Sequence, residues 1–301
     1  MEMLSVFLEA VIRATLPLAL AALGEMICER SGFVNVGLEG SMISGALAAA
    51  AAATFGGTVL GFGAGALAGA LTGVVLAVFA IGLGTNQVLT GAAVTAGSLG
   101  VTSLLSHAVF GASGAALSVP MSAPFAVPVL STIPVVGRAL FAQPMITYVV
   151  FVLVPVSWWW LTRTKSGLEL RATGENPEAV RASGPSPARL QIAAVLAGSA
   201  LGGLGGATLV LAQAGTFAEG MSAGRGFIAL AVVALGRWHP VGVAGAALLF
   251  GATSSLQYLL QALGTDVPYQ VFLALPYLLT LAVLGASGRT GEPAWLGRRL
   301  P

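Results

Sequence analysis

Charged residues are distributed very unevenly along this chain. Residues 40 to 137 contain no Asp, Glu, Lys or Arg, whereas residues 163 to 189 contain eight of them. A long uncharged stretch is stable in hydrocarbon, and a compact charged segment between two apolar regions must lie in water. The pattern therefore predicts a chain that crosses a lipid bilayer repeatedly and exposes residues 163 to 189 on one side of it.

The composition supports this prediction. Of the 301 residues, 56% are hydrophobic and only 8% are charged, against roughly 25% charged in an ordinary soluble domain. Because each crossing takes about 20 residues, the length allows about 8 to 10 transmembrane helices and no sizeable soluble domain. We predict an all-α, polytopic membrane bundle in one domain, residues 1 to 301, with some helices broken or short. The net charge of +2 is small, so nucleic-acid binding is not expected.

Apolar segments give the expected positions of the helices. One of them, residues 226 to 236, is too short to cross a bilayer as a single regular helix. The full set of predicted spans is about 4 to 27, 33 to 55, 57 to 82, 87 to 110, 144 to 162, 190 to 213, 226 to 236, 241 to 262 and 268 to 286.

Basic residues indicate the orientation of the chain. Five of them fall within residues 163 to 189, and three more lie near the end of the sequence, at Arg289, Arg298 and Arg299. Positive residues favour the cytoplasmic side of a membrane, so we expect both regions there and the Pro-rich loop, residues 111 to 143, outside. The tryptophans at 158 to 160 fit a belt at the cytoplasmic interface, with core packing as the alternative. An odd number of crossings would place the N-terminus outside, and one crossing more or fewer would reverse that end only.

Glycines recur at intervals of four residues in two of the spans. Because residues four apart share a helix face, such a series lets a neighbouring backbone approach closely. We predict tight helix packing at these faces, and sliding during a conformational change remains an open alternative. The series are Gly61, Gly65, Gly69 and Gly73, then Gly198, Gly202 and Gly206, with Gly37, Ser41 and Gly45 as a weaker third.

Motifs of soluble enzymes are missing from the sequence. It contains no HExxH, CxxC, GxSxG or paired-carboxylate cluster, and its two histidines, His107 and His239, lie far apart. We therefore expect no metal site and no catalytic residues. Neither GxxxxGKS nor GxxxxGKT occurs, so another subunit would have to bind any ATP. The single cysteine, Cys28, is expected to be a buried apolar residue.

Ionisable groups inside the spans are candidates for function because they are costly in lipid. Glu9 and Arg13 lie four residues apart, and we interpret them as a structural pair. Glu39 follows Asn35 in a segment rich in small residues, where both polar groups would face protein or water. Asn35 and Glu39 are therefore candidates for the lining of a pathway through the bundle.

Two further polar pairs lie at the ends of spans. Asn86 and Gln87 open the span after GLGT, either as a helix start near the surface or as a polar lining of the pathway. Glu219 and Arg225 flank GMSAG before the short span. Broken spans of this kind form midplane sites in transporters, because the ends of half-helices point inward.

Four segments resemble a known family of membrane proteins. They are ERSGFVNVGLEGSMISGALAA at 29 to 49, TNQVLTGAAVTAGSLGVTSLL at 85 to 105, RATGENPEAVRASG at 171 to 184 and GRGFIALAVVALGRWHPVGVAGAALLFG at 224 to 251. In this order they resemble permease subunits of ABC importers for simple sugars and nucleosides, which are related to ribose and branched-chain amino-acid permeases. The resemblance covers roughly residues 20 to 285. Within the group, the chain is similar to the shorter of two paralogous permeases that pair as a heterodimer in nucleoside importers.

The resemblance implies a coupling helix that docks on an ATPase. The local sequence fits such a helix, since Asn176 can cap it, Pro177 can take its first position and Gly184 can end it. A helix of about two turns is marginal alone in water and needs a partner, with a solvated loop as the alternative. The residues that match the family's coupling segment are Gly174, Glu175, Asn176, Pro177, Glu178, Ala179, Arg181 and Gly184.

Partners and cofactors are implied in the same way. The resemblance implies a separate ATPase subunit that binds ATP and Mg, and a second permease subunit that is either a longer paralogue or another copy of this chain. It also implies an extracytoplasmic substrate-binding protein that docks on loops such as 111 to 143 and 214 to 224. The chain itself would bind no cofactor and would not be an enzyme. It would lie in the bacterial cytoplasmic (inner) membrane and alternate between outward and inward cavities.

Two positions depart from the family's usual pattern. Thr95 stands where many members have Asn, and His239 stands where Asn or Asp is common. Thr95 is a further pathway candidate, and its identity leaves the cargo, a nucleoside or a simple sugar, open. One alternative is an ion-coupled secondary transporter of a small polar solute, which would typically keep acidic relays inside its spans. A membrane-embedded enzyme is the other, and the sequence offers no nucleophile, metal or cofactor motif for it.

Overall fold

A computed structural model describes residues 2–111, 119–128, 130–133, 136–262 and 291–300, together with the single positions 274, 278 and 285. Two π-helical segments, Ala77–Gly82 and Leu209–Ala214, extend the second and eighth helices. The helices in this part of the chain are α1 (Glu2–Arg30), α2 (Leu38–Leu76), α3 (Gln87–Phe110), α4 (Val136–Phe141), α5 (Met145–Arg163), α6 (Lys165–Glu175), α7 (Pro177–Ala182), α8 (Pro187–Thr208), α9 (Arg225–Leu235) and α10 (Pro240–Ala262).

Six helices of the described residues are long and apolar enough to cross a membrane, namely α1, α2, α3, α5, α8 and α10. The predicted helical membrane bundle is thereby confirmed. Helix α9 has 11 residues and is short, as its sequence indicated. The predicted span 268 to 286 lies outside the described residues, apart from three single positions.

The second helix is a hairpin. Together with the π-helical segment after it, α2 spans 45 residues, Leu38–Gly82, which would reach about 68 Å if straight. The chain instead reverses at Gly56 and Gly57, where φ is −136° and +73°. The two halves of α2 lie side by side, as shown by the hydroxyls of Ser41 and Thr72, which are 2.6 Å apart. The hairpin accounts for the two spans predicted on either side of this turn.

Glycine faces of α2 and α8 pack directly against each other. A Cβ on Gly69 would lie 2.3 Å from the Ser199 carbonyl oxygen, and one on Gly203 would lie 2.2 Å from that of Gly65. No side chain fits at such distances, so the two backbones are in contact. The tight packing predicted from the glycine spacing is confirmed.

Residues 31–37, between α1 and α2, are largely buried but not helical. We expected the second span to begin at residue 33, whereas its helix begins at Leu38. Gly32 follows α1 with a φ of +89°, a conformation that favours glycine. The Asn35 N–H then donates to the Glu25 carboxylate over 2.9 Å rather than to a helical carbonyl. This side-chain bond explains the late start of the helix.

An irregular region precedes α5 and contains two short antiparallel strands, β1 (Pro124–Ala126) and β2 (Ala142–Pro144), which the sequence did not predict. The Val119 N–H donates to the Gly215 carbonyl oxygen over 2.9 Å. The two loops expected to dock a substrate-binding protein therefore touch each other.

The two basic regions of the sequence lie on the same face of the bundle. Residues 291–300, here called the tail segment, contact the region 163 to 189 through the Trp295 N–H, which donates to the Gly174 carbonyl oxygen over 2.8 Å. The charge pattern placed both regions on one side of the membrane, and this contact agrees with that placement.

Candidate functional site

The short helix α9 begins against the start of α2. Gly224 and Gly226 donate their backbone N–H groups to the two carboxylate oxygens of Glu39, over 2.8 and 2.6 Å. Glu39 lies in the first turn of α2 and is only 5% exposed. Its side chain therefore caps the N-terminus of a different helix from the one that carries it.

Glycines make this approach possible. Gly224 has a φ of +78° and directs the chain into α9. A Cβ on Gly226 would lie 2.5 Å from the backbone nitrogen of Glu39, so only glycine allows α9 to come this close to α2. Two helix N-termini thus meet at Glu39, and their partial positive charges stabilise its carboxylate. This arrangement is here called the half-helix junction.

Asn35 is fully buried beside the half-helix junction. Its Nδ2 donates to the Ser199 hydroxyl over 3.0 Å, and its Oδ1 has no partner within the described residues. Ser199 lies about 18 Å along α8 from Pro187, at about 1.5 Å per residue. The junction therefore sits near the middle of a membrane-length helix, at the depth where discontinuous helices form binding sites in transporters.

Two buried carboxylates in α1 form a cluster that the sequence analysis missed. Glu25 and Glu29 are 0% and 4% exposed and share one helix face. The Glu29 Oε2 accepts the indole N–H of Trp238, whereas the Glu25 Oε2 has no partner within the described residues. The expectation of no paired carboxylates is therefore corrected. The predicted first span ended at residue 27. The apolar Met, Ile and Cys between the two acids were the signal that the apolar helix continues past that residue.

The C-terminal end of α9 is held by Glu29 and by its neighbour Arg30. Trp238 follows α9 and is 4% exposed, and its carbonyl oxygen accepts from the Arg30 Nε over 2.8 Å. Arg237 and Trp238 have φ values of +55° and +53°, which cost about 1–3 kcal/mol for residues with a side chain. The contacts of Trp238 with Glu29 and Arg30 keep the chain in this conformation. Helix α9 is thus fixed at both ends by glutamates of α1 and α2.

Two residues of α3 contact the non-helical segment 31–37. The Gln87 Oε1 accepts the Val34 N–H over 3.0 Å, and its Nε2 donates to the Arg298 carbonyl oxygen over 3.2 Å. The Thr95 hydroxyl donates to the Val36 carbonyl oxygen over 3.3 Å. Both side chains are less than a tenth exposed. The structure therefore brings Gln87 and Thr95 to the segment that leads into the half-helix junction.

Asn86 lies apart from this cluster. It is exposed, and its Oδ1 accepts the N–H groups of Val88 and Leu89 over 3.0 and 3.1 Å. These bonds make it the N-cap of α3. Of the five candidate pathway residues, four lie together around segment 31–37 and Asn86 does not.

A cavity of about 660 Å³ opens between the α2 hairpin and α3. It contains five hydroxyl side chains and one ring, Phe79, from a π-helical segment. The candidate pathway residues do not line it. Its lining residues are Ser44, Thr72, Val75, Phe79, Thr85, Leu89, Thr90, Ala93, Val94, Gly97, Ser98 and Val101.

A short helix, α7, is present in the segment where the coupling helix was expected. The Asn176 Oδ1 accepts the Ala179 N–H over 3.1 Å, Pro177 takes the first position and Gly184 follows with a φ of +109°. Pro177 and Val180 are buried on the inner face. The remaining matched residues, apart from the buried Gly174, are exposed: Glu175, Asn176, Glu178, Ala179, Arg181 and Gly184.

Comparison with known families assigns this architecture. The model of the family described as "Branched-chain amino acid transport system / permease component" matches residues 7–284. The chain belongs to this permease family. The resemblance noted in the sequence is confirmed, and the permease is a transport subunit rather than an enzyme.

Individual relatives cover nearly the whole permease. The guanosine ABC transporter permease protein NupQ of Bacillus subtilis is 36% identical over 97% of this chain and 95% of its own length. The putative glucose ABC transporter permease protein TsgC13 of Haloferax volcanii is 34% identical over 92% and 90%. The nucleoside ABC transporter permease protein NupC of Lactococcus lactis is 33% identical over 89% and 87%.

Two regions of the permease concentrate its polar candidate residues. The half-helix junction places a buried carboxylate and a buried amide, Glu39 and Asn35, near the middle of the bundle. Helix α7 presents a polar face to solvent at the basic end of the molecule. The first region can respond to a solute or to a change in packing, and the second can be gripped by a soluble protein.

Proposed function

We propose that this permease is the membrane-spanning subunit of an ABC importer that moves a nucleoside or a simple sugar inward by alternating access. The names of its relatives support this cargo class, since they specify guanosine, glucose and nucleosides. A separate ATPase subunit binds ATP and Mg and drives the cycle. The permease itself binds no cofactor.

Helix α7 is the observation that carries this proposal. It is a capped helix of six residues, Pro177–Ala182, too short to be stable in water without a partner. Its outer face includes Glu178, Ala179 and Arg181, and it lies on the face that carries both basic regions. In the proposal this face is cytoplasmic, and the coupling residues from Gly174 to Gly184 dock on the ATPase.

The proposed pathway passes the half-helix junction. Asn35, Glu39, Gln87 and Thr95 surround the segment that enters α2, and Asn86 lies at the start of α3. Polar side chains buried near the middle of a membrane bundle cost free energy, and those that are present serve packing or transport. Both Glu39 oxygens accept bonds from α9, so a movement of α9 relative to α2 during the cycle would have to break them.

The partners follow from the same proposal. The whole chain, residues 1 to 301, forms one transmembrane domain that pairs with a second permease, either a longer paralogue or another copy. A substrate-binding protein docks outside on loops 111 to 143 and 214 to 224, which contact each other through Val119 and Gly215. The complex lies in a bacterial cytoplasmic membrane.

Uptake by membrane vesicles tests the proposal. Vesicles with the complex and its receptor should accumulate radiolabelled guanosine or glucose when ATP is supplied to the ATPase, and an uncoupler should leave accumulation unchanged. Accumulation that needs no ATP and collapses with the uncoupler would contradict the proposal.

An ion-coupled secondary transporter is the second candidate, and one observation favours it. Glu25 and Glu29 are buried carboxylates inside a membrane-length helix, which is where proton and cation relays lie in such transporters. The same vesicle experiment separates the two candidates, because only the secondary transporter would lose uptake with the uncoupler.

A further inference from the structure

The tail segment is bound to the bundle rather than extending away from it. The Trp295 N–H donates to the Gly174 carbonyl oxygen over 2.8 Å, and the Gly297 N–H donates to that of Gly32 over 3.0 Å. The Ala294 N–H reaches the Glu175 carboxylate over 3.3 Å. A segment without helix or strand is thus attached at the end of α6 and at the end of α1.

Side chains hold the shape of the tail segment. The Trp295 indole N–H donates to the Arg299 carbonyl oxygen over 3.1 Å, and the Arg298 guanidinium lies 5.6 Å from the centre of the Trp295 ring. Such a cation–π contact favours one arrangement of an otherwise irregular segment. Leu296 packs against the main hydrophobic core. The segment is therefore a built element with its own internal contacts.

A route of hydrogen bonds and residues adjacent in the sequence leads from the tail segment to the half-helix junction. The Arg298 carbonyl oxygen accepts from Gln87, whose other side-chain atom accepts the Val34 N–H. The next residue, Asn35, accepts the Leu38 N–H over 3.2 Å at the start of α2. Glu39 follows directly and caps α9. At the opposite end, the tail segment contacts the residues that immediately precede α7.

We propose that the tail segment is a strap that transmits movement of α7 to the half-helix junction, with Trp295 and Gln87 as its positioning residues. The inference rests on the proposed function. Movement of α7 by the ATPase displaces the end of α6, the strap carries that displacement to Gln87, and Gln87 shifts the segment that enters α2. If the strap transmits this movement, breaking it should uncouple ATP hydrolysis from transport.

Two substitutions of Trp295 separate the loss of its backbone hydrogen bond from the loss of its ring. Trp295→Ala and Trp295→Pro both remove the ring, and only Trp295→Pro also removes the N–H that donates to Gly174. We expect the Trp295→Pro complex to keep its ATP hydrolysis but to import at least about tenfold less guanosine per ATP hydrolysed, within the usual range of coupling between sites. Trp295→Ala should lie between it and the unaltered complex. The exposed Glu292→Gln, in the same segment but outside these bonds, is the control.

A second variant tests the far end of the strap. Gln87→Glu keeps an acceptor for the Val34 N–H and loses the donor to the Arg298 carbonyl oxygen. If Trp295 and Gln87 act in series, the double variant Trp295→Pro with Gln87→Glu should import no less guanosine per ATP than the stronger single variant. Independent effects would multiply. Should Trp295→Pro not assemble, Trp295→Ala takes its place in this comparison.

The outcomes are distinguishable from failure of the proposed function. If the unaltered complex shows no ATP-driven uptake, the proposed function and the strap both fail. If it transports and the variants only reduce the amount of assembled complex, with guanosine per ATP unchanged, the strap alone is overturned. Multiplying effects of the two substitutions would overturn it as well.

Discussion

Glu39 is a charged residue in an environment that would ordinarily exclude it. A buried carboxylate is tolerated in a membrane bundle only when donors replace its water. Glu39 has two donors, both backbone N–H groups at the start of α9, and hydrogen bonds to an ionised acceptor are about twice as strong as neutral ones. The same bonds make it a contact that can be broken and remade when α9 moves.

Substitutions of Glu39 separate its packing role from its transport role. Glu39→Ala leaves two buried N–H groups without acceptors, at about 1–3 kcal/mol for each, and should lower the yield of assembled complex. Glu39→Gln keeps one acceptor oxygen, so the complex should assemble while uptake per complex falls about tenfold, as one lost charge-assisted bond of about 1.5 kcal/mol would give. The yield of purified complex measures the first effect, and uptake of labelled guanosine per purified complex measures the second.

The control for Glu39 is Glu169→Gln. Glu169 lies 3.8 Å from the exposed Lys165 and is itself partly buried, and an ion pair at the surface contributes little to stability. It should leave assembly and uptake unchanged. If Glu39→Gln transports as well as this control, Glu39 serves only packing.

At the scale of elements, the α2 hairpin and α8 depend on backbone contact. In lipid, helices associate through close van der Waals packing rather than through the hydrophobic effect, so small residues mark the interface. Gly69 and Gly203 lie where any side chain would overlap the opposite backbone. The packing of these helices therefore depends on glycine at specific positions.

Two alanine substitutions in the same half of α2 test this dependence. A Cβ on Gly69 would lie 2.3 Å from the Ser199 carbonyl oxygen, whereas one on Gly63 would meet nothing within 4 Å. Alanine favours a helix by about 1 kcal/mol over glycine, so Gly63→Ala should leave the melting temperature unchanged or raise it. Gly69→Ala should lower it by several degrees, since overpacking costs about 1–3 kcal/mol. Equal melting temperatures of the two purified variants would contradict direct backbone contact.

The positions of elements were largely predictable from the sequence, because hydropathy, glycine spacing and capping residues act locally. Asn176, Pro177 and Gly184 fitted in this way the short helix that the family resemblance implied, and that helix is α7. Glu25 and Trp238 could not be placed, because their burial depends on helices that are distant in sequence. The break at residues 31–37 was missed for the same reason, since its bonds go to Glu25 and Gln87. Hydropathy reports that a residue is apolar enough for lipid, but not which neighbour it touches.

At the scale of the whole molecule, orientation decides whether the mechanism works. The region 163 to 189 and the tail segment share one face, and a soluble ATPase can reach α7 only if that face is cytoplasmic. The region around Met121, which is 51% exposed, contacts the loop after α8 and belongs to the opposite end in the proposed topology. Cys28 is fully buried, so the unaltered permease provides an unreactive background for thiol labelling.

Single cysteines on the two faces should therefore label from opposite sides of the membrane. In intact cells, a membrane-impermeant maleimide should modify Met121→Cys and spare Ala182→Cys, an exposed position on α7. In inverted vesicles the pattern should be reversed, and the unaltered permease should stay unlabelled in both, because a buried thiol is inert. The bound ATPase should also slow labelling of Ala182→Cys in inverted vesicles, since docking covers α7. Modification of Ala182→Cys in intact cells would place α7 outside, where no ATP-driven subunit could reach it.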